Sequence, residues 1–161
     1  LGASVTGVDL AEHNVRIARE HAHASGLEID YRFQDVTTLD EPFDLIFNME
    51  VVEHVGDLPA FMNACYRCLK PGGITFLSTL NRTPLSFLFA IIGAEYVLKL
   101  LPRGTHQWTK FVKPAELESL LNQNATDVFW RSGIRFNPFA RRFSLQRSMA
   151  VSYLLAARKL P

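Results

Sequence analysis

Residues 43–55 read FDLIFNMEVVEHV, an apolar stretch of strand length that leads directly into two carboxylates and a histidine. If residues 50–54 form one helical turn, Glu50, Glu53 and His54 stand at positions i, i+3 and i+4 and share one face of that turn. Open α/β sheets bind their ligands at the carboxyl ends of their strands. The stretch therefore predicts a buried strand with a functional site at its end.

Segments of strand and helix periodicity alternate along the 161-residue chain. Strands are predicted over residues 4–10, 29–33, 43–47 and 74–79. Helices are predicted over residues 11–25, 58–69 and 114–121, with the Lys-Pro-Gly-Gly sequence at 70–73 ending the second helix. Two last strands, over 126–136 and 149–156, are predicted to pair as an antiparallel hairpin at one edge. This alternation is typical of an α/β protein with a mostly parallel sheet.

The charges are distributed unevenly, although the net charge is only +1 and the composition is that of a soluble globular domain. Of the 16 acidic residues, 12 lie within residues 9–57, whereas 14 of the 17 Lys and Arg residues lie from Arg67 onward. A basic C-terminal third suits an anionic membrane surface or an anionic ligand, and also an ordinary solvated face. No nucleic-acid partner is expected, because the basic residues follow no recognised motif.

The two cysteines, Cys65 and Cys68, are spaced C-x-x-C within a predicted helix. A zinc site would need a second pair of ligands, so two buried thiols with the packing role of small apolar side chains are expected. Because nothing in this spacing indicates a disulfide scaffold, we expect the protein to lie in a reducing compartment.

Residues 84–101 (PLSFLFAIIGAEYVLKLL) interrupt the α/β alternation and carry only two charges, Glu95 and Lys99. Three structures suit such a segment: a lid or peripheral helix, a buried core helix, or a membrane span. We predict that residues 84–110 form a helical lid or a membrane-contact insertion within a single domain over 1–161.

Three side chains at strand ends are candidate cofactor ligands. Asp9 either accepts hydrogen bonds from ribose hydroxyls or caps the following helix. Asp35, which follows Gln34, either contributes to recognition of an adenine edge or caps a turn. Met49 either packs against a flat purine and a sulfonium group or belongs to the core.

Several motifs occur in an order that resembles the ubiquinone-biosynthesis O-methyltransferase family, a branch of the class I S-adenosylmethionine-dependent methyltransferases. The resemblance covers essentially the whole chain and rests on EVVEHV (50–55), LKPGG (69–73), STLNR (78–82), GAEY (93–96), GTHQW (104–108) and KPAEL (113–117). It implies a Rossmann-like α/β fold, S-adenosylmethionine as cofactor, and O-methylation of a polyprenylated benzene diol at a membrane.

The resemblance also implies particular residues and surroundings. It places a divalent metal, with Mg²⁺ expected, at Glu50, Glu53 and His54. It places Asp9 at the cofactor ribose and Met49 beside the cofactor. The expected location is the cytoplasmic face of a bacterial inner membrane or the matrix side of the mitochondrial inner membrane, with an anionic membrane surface and other ubiquinone-biosynthesis proteins as partners.

Methyl transfer to a phenol needs a deprotonated oxygen, which a bound divalent cation promotes by lowering the pKa of a diol hydroxyl. Mg²⁺ prefers oxygen ligands, whereas His54 would also admit Zn²⁺, Mn²⁺ or Fe²⁺. Without metal, Glu50 or His54 could act as general base. His106 follows the insertion and is either a second base or a surface histidine. The alternative to a functional site is that these acids only stabilise a helix N-terminus.

The sequence lacks the glycine-rich turn and the first central strand of the family's fold, and it begins in mid-pattern at Leu1. We therefore expect a fragment with weak cofactor binding, exposed strand edges and a tendency to aggregate. A different small-molecule methyltransferase and a non-catalytic lipid-binding fragment are the alternatives.

Overall fold

A computed structural model of the chain describes residues 2–89, 107–137, 140 and 142–161. The chain divides into two compact units, Leu1–Glu41 and Pro42–Pro161. The single-domain prediction and the lid over 84–110 stay predictions, since residues 90–106 of that lid lie outside the described residues.

The first unit is one βαβ crossover followed by a short turn. Its elements are β1 (Thr6–Asp9), α1 (Glu12–Ala24), β2 (Asp30–Phe33) and a 3₁₀ turn (Val36–Thr38). The two strands are parallel, with Thr6 opposite Asp30 and Asp9 opposite Phe33. Because parallel strands end at the same edge, the residues after both strands share that edge, as the sequence predicts.

The second unit is built on a five-stranded sheet of order β3-β4-β7-β5-β6. Its elements are β3 (Phe43–Met49), α2 (Leu58–Cys68), β4 (Leu69–Leu80), α3 (Pro84–Ser86), a 3₁₀ turn (Trp108–Lys110), α4 (Pro114–Gln123), β5 (Thr126–Asn137), β6 (Arg142–Gln146) and β7 (Ser152–Lys159). β3 and β4 are parallel, whereas the other neighbouring strands are antiparallel.

The α/β class is confirmed, but this sheet is mixed, where the sequence predicts a mostly parallel one. β7 lies between β4 and β5, so the predicted edge hairpin of the last two strands is wrong, although those two strands do pair antiparallel. The strand at the edge next to β5 is β6, which the sequence analysis does not predict. Strand order depends on pairing across the sheet, which local periodicity does not specify.

The Lys-Pro-Gly-Gly sequence follows the end of α2, as predicted, and it lies inside β4. Pairing with β3 jumps there from Phe43–Leu69 to Leu45–Ile74, as in a β-bulge. A Cβ on Gly73 would lie 2.8 Å from the carbonyl oxygen of Lys70, and Gly72 has a φ of 75°. Glycine is therefore required at both positions for the bulge to form.

One face of the five-stranded sheet packs against α2 and α4 and holds the core. The residues of this cluster are Val52, Met62, Leu77, Val112, Leu117, Leu121, Tyr153, Leu155 and Ala157. The buried hydroxyl of Tyr153 donates to the carbonyl oxygen of Val112 at 3.0 Å. Cys65 and Cys68 are both buried, as predicted, and burial raises the pKa of Cys65 to about 12.

The opposite face is apolar but open along β3, where Leu45, Phe47 and Met49 are half-exposed or more. Phe47 stacks on Phe76 of β4, with the ring centroids 5.2 Å apart. Among the described residues β3 pairs with β4 alone, which fits the expected open strand edge. Within the same residues, no helix is long and apolar enough to cross a membrane.

Leu155→Ala tests the position of the core. Leu155 is fully buried in the central strand β7, so its truncation is expected to lower the free energy of unfolding by about 3 kcal/mol. The measurement is urea unfolding followed by tryptophan fluorescence, since both tryptophans, Trp108 and Trp130, lie in the second unit. Leu160→Ala, at a side chain that is 48% exposed, is the matched control. Equal losses for the two variants would contradict this packing.

Candidate active site

The backbone after β3 turns sharply and does not form the predicted helical turn. Glu50 has a φ of 56°, in the left-handed region that non-glycine residues rarely adopt. The next residues close a tight turn, in which the His54 amide donates to the Val51 carbonyl at 2.9 Å. The prediction that Glu50, Glu53 and His54 share one helical face is therefore wrong. Such backbone outliers concentrate at functional sites.

Two hydroxyls at the end of β4 hold the two carboxylates. Ser78 donates its hydroxyl to Glu50 Oε1 at 2.9 Å, and Thr79 donates its hydroxyl to Glu53 Oε2 at 2.8 Å. The Glu50 amide also donates to the Ser78 carbonyl at 2.9 Å. Sequence reasoning assigned no role to Ser78 or Thr79. The feature that could have indicated this role is the pair of hydroxyl residues near the end of a buried apolar strand.

The Glu50 carboxyl is poised to exchange a proton near neutral pH. Burial raises its pKa first, and the negative charge of Glu53 raises it further, to about 7. The hydrogen bond from Ser78 acts in the opposite direction. A carboxyl with this pKa can serve as a general base at physiological pH.

Glu53 is a buried acid whose second oxygen is not satisfied. The side chain is 3% exposed, and Oε1 has no hydrogen-bond partner among the described residues. A buried polar atom of this kind calls for an unseen partner such as a proton, a water molecule or an ion. Two neighbouring carboxylates with an open oxygen fit a hard divalent cation, which prefers oxygen ligands.

The predicted three-residue metal site is not assembled. No group of three His, Cys, Asp or Glu side chains converges on one point within residues 2–89, 107–137, 140 and 142–161. His54 is exposed, because the turn after Glu50 replaces the helix that would have placed it beside the carboxylates. His106 lies outside the described residues, so its catalytic role stays a prediction.

The two predicted cofactor acids of the first unit both support local structure. Asp9 accepts hydrogen bonds from the Ala11 amide at 2.7 Å and from the Asn14 side chain at 3.2 Å. Asp35 accepts from the Thr37 amide at 2.8 Å, and this bond holds the pKa of Asp35 below its usual value. Asp35 thus caps the 3₁₀ turn, whereas the N-cap of α1 is Ala11 and Asp9 does not cap that helix. Contact of either acid with a cofactor stays a prediction.

Met49, the third predicted cofactor residue, ends β3 in the second unit. Its side chain is 47% exposed, which rules out the alternative of a core methionine. It occupies the last position of the strand, immediately before Glu50. Its contact with a cofactor stays a prediction.

The loop after β4 is tied down beside the carboxylates. The Asn81 side chain donates to the Met149 carbonyl at 2.8 Å, and the Thr83 hydroxyl donates to the Ala150 carbonyl at 2.6 Å. The Trp108 indole donates to the Thr83 carbonyl at 3.0 Å. The loop after β4 is therefore joined both to the residues before β7 and to Trp108.

Glu53→Gln tests the charge coupling of the two acids. The variant is expected to lower the pKa of Glu50, because it removes the like charge, whereas Ser78→Ala is expected to raise it. The measurement is a ¹³C NMR titration of the Glu50 carboxyl, and Glu12→Gln on α1 is the control.

The same coupling has a consequence for stability. The folded-state pKa of Glu50 exceeds its ordinary value of 4.5. At pH values between 4.5 and about 7, the folded state therefore holds a proton that the unfolded state has lost. The contribution of Glu50 to stability therefore falls as pH rises through this window, and Glu53→Gln should flatten that fall. An unchanged slope in urea unfolding across pH would contradict the coupling.

Comparison with known proteins is consistent with this fold. Residues 1–77 match the family described as a methyltransferase domain. Two solved structures share the fold at 19% and 20% sequence identity. They are an S-adenosylmethionine-dependent methyltransferase from Methanosarcina mazei (TM-score 0.71, covering 99% of this chain and 83% of that one) and the magnesium protoporphyrin IX methyltransferase of Synechocystis with bound S-adenosylhomocysteine (TM-score 0.68, 98% and 64%).

Curated relatives give the finer assignment. The chain is 52% identical to the ubiquinone biosynthesis O-methyltransferase of Dinoroseobacter shibae, covering 98% of this chain and 65% of that protein. It is 48% identical to the protein of the same name from Cereibacter sphaeroides, with the same coverage. The chain thus spans slightly less than two thirds of the length of these relatives. The chain is therefore similar over nearly its whole length to ubiquinone biosynthesis O-methyltransferases, and it has the fold of the class I S-adenosylmethionine-dependent methyltransferases.

Proposed function

We propose that the protein methylates a hydroxyl of a polyprenylated catechol or hydroquinone precursor of ubiquinone, with S-adenosylmethionine as methyl donor. The observation that carries this proposal is the coupled pair Glu50 and Glu53 at the carboxyl ends of β3 and β4. The name of the relatives, ubiquinone biosynthesis O-methyltransferase, supports the pathway, and their similarity extends over nearly the whole chain.

The residues of this site are suited to moving one proton. S-adenosylmethionine supplies a methyl group that its sulfonium already activates for displacement. The protein must then align the acceptor and remove the proton from its oxygen. Without a bound metal, Glu50 accepts that proton, because burial and the charge of Glu53 raise its pKa to about 7. Ser78 and Thr79 fix the orientation of the two carboxyls.

We propose Mg²⁺ as the divalent metal, with Glu50 and Glu53 as its protein ligands. The open Oε1 of Glu53 and the repulsion between the two acids both support a cation at this position. Bound there, Mg²⁺ would lower the pKa of the acceptor hydroxyl and orient it. His54 is left out of this pair, because its side chain is exposed.

The proposed setting is the cytoplasmic face of a bacterial inner membrane or the matrix side of the mitochondrial inner membrane. A polyprenyl chain confines the substrate to a bilayer, so the protein must work at its surface. The 14 Lys and Arg residues from Arg67 onward favour an anionic surface. Other ubiquinone-biosynthesis proteins are proposed as further partners.

Calorimetric titration with S-adenosylhomocysteine tests the cofactor assignment. Binding is expected, and Asp9→Asn should weaken it about tenfold, since a hydrogen bond to a charged acceptor would be lost. Asp40→Asn, at an exposed acid of the same unit, is the control. Equal affinities for the two variants would remove Asp9 from the cofactor site.

Methyl transfer to a short-tailed catechol tests the chemistry. Glu50→Gln is expected to lower the rate about 100-fold or more, because the general base is lost. Removal of Mg²⁺ with a chelator should lower the rate of the unmodified protein, and added Mg²⁺ should restore it. Glu12→Gln is the control. A rate that is indifferent to metal would overturn the metal assignment, whereas a rate unaffected by Glu50→Gln would overturn the base.

A further inference from the structure

We propose that Tyr153 is a positioning residue for the acid pair, and that it acts on Glu53 through Thr79 and Val112. Tyr153 lies on β7, away from the Glu50 turn in the sequence, and touches no reacting group in this proposal. The inference rests on the proposed function, in which Glu53 serves the methyl transfer. It deepens that function by naming the side chain that keeps Glu53 in place and shielded from water.

The register of the sheet places Tyr153 beside Thr79. The two residues lie directly opposite each other in the antiparallel ladder of β4 and β7, so their side chains share one face of the sheet. That face is the core face, because Leu77 and Leu155, two residues away on the same strands, both belong to the core cluster. Opposite residues of a ladder have Cβ atoms about 5 Å apart, which brings a tyrosine ring into contact with its neighbour.

Glu53 reaches the same place from the turn after β3. Its Oε2 accepts the Thr79 hydroxyl at 2.8 Å, so its carboxyl lies next to the Tyr153 ring. Glu53 is 3% exposed, and Thr79 and Tyr153 are fully buried. Burial raises the pKa of the Tyr153 phenol, and the negative charge of Glu53 raises this pKa further. The phenol therefore stays protonated at physiological pH and remains a hydrogen-bond donor.

The hydroxyl of Tyr153 fixes a chain segment at the end of β4. It donates to the Val112 carbonyl at 3.0 Å, and the Val112 amide donates to the Leu80 carbonyl at 3.2 Å. Val112 is thus attached to β7 through its carbonyl and to β4 through its amide. Val112 and Val52, the residue before Glu53, belong to the same buried cluster as Tyr153. These apolar side chains exclude water from the region of the Glu53 carboxyl.

Loss of the Tyr153 hydroxyl alone should loosen this arrangement. The variant Tyr153→Phe keeps the ring, and so keeps the packing against Thr79, but it leaves the buried Val112 carbonyl without its donor. The segment at Val112 then shifts toward water, and the hydrogen bond from Thr79 to Glu53 opens more often. A small misplacement of a group that aligns or activates a substrate lowers the rate of the reaction strongly.

The ¹³C NMR signal of the Glu53 carboxyl tests the proposal without catalysis. At one fixed alkaline pH, Tyr153→Phe is expected to move this signal toward that of the exposed Glu12 carboxyl. Leu155→Ala is the matched control, because it truncates a core residue of the same strand and face and leaves the Tyr153 hydroxyl in place. An unmoved Glu53 signal in Tyr153→Phe, or an equal movement in Leu155→Ala, would overturn the proposal.

Methyl transfer to a short-tailed catechol gives the second measurement. Tyr153→Phe is expected to lower kcat about tenfold while KM for the catechol and the affinity for S-adenosylhomocysteine stay unchanged. Leu155→Ala, assayed at a temperature at which both variants are folded, should keep its kcat. In a chain that already carries Thr79→Val, Tyr153→Phe should have a much smaller effect, because the route to Glu53 is already broken.

The outcomes separate this inference from the proposed function. An equal fall of kcat in Tyr153→Phe and Leu155→Ala, or a full additional fall in the Thr79→Val background, would mean that Tyr153 only stabilises the fold. If the unmodified chain does not methylate the catechol, the proposed function fails. The Glu53 signal then still decides whether Tyr153 positions that acid.

Discussion

The parallel pairing of β3 with β4 is the constraint on which the site depends. It sets Met49 opposite Ser78, and the ladder continues one step further through the hydrogen bond from the Glu50 amide to the Ser78 carbonyl. This hydrogen bond and the left-handed backbone of Glu50 end the strand, and the Glu50 side chain then contacts Ser78 of β4. The bulge at Gly72 and Gly73 sets the register from the other end, because it determines which residues of β4 reach the Glu50 turn.

Two acids held close together repel each other, and the structure shows which of their oxygens accept hydrogen bonds. Thr79 satisfies one oxygen of Glu53 and Ser78 satisfies one oxygen of Glu50, which leaves the repulsion between the carboxyls in place. Burial and this repulsion together raise the pKa of Glu50. Further hydrogen bonds to the ionised carboxyl would lower that pKa. The open oxygen of Glu53 is thus the feature that connects the stability of this region to its chemistry.

The two faces of the five-stranded sheet have different roles. The face under α2 and α4 carries Leu77, Tyr153 and Leu155 and stabilises the unit. The opposite face stays open along β3, where Phe47 is 62% exposed. Such an apolar surface is unusual for an isolated soluble protein and is typical of a surface that meets a partner. The two carboxylates follow Met49, the last residue of β3, at one end of that open strand.

The sequence by itself indicated most of the strand and helix segments, the α/β class and the resemblance to ubiquinone-biosynthesis O-methyltransferases, and it predicted a site at Glu50 and Glu53. Those features depend on local periodicity and on residue types at strand ends, which are present in any linear reading. Only the tertiary structure decided that β7 lies inside the sheet, that β6 forms its edge, and that His54 stands apart from the acids. It also revealed Ser78 and Thr79 as the groups that hold the carboxylates. The physical reason is that these features depend on pairing between segments far apart in the chain, such as residues 50 and 78. They also depend on the left-handed backbone of Glu50, which the periodicity of the sequence does not indicate.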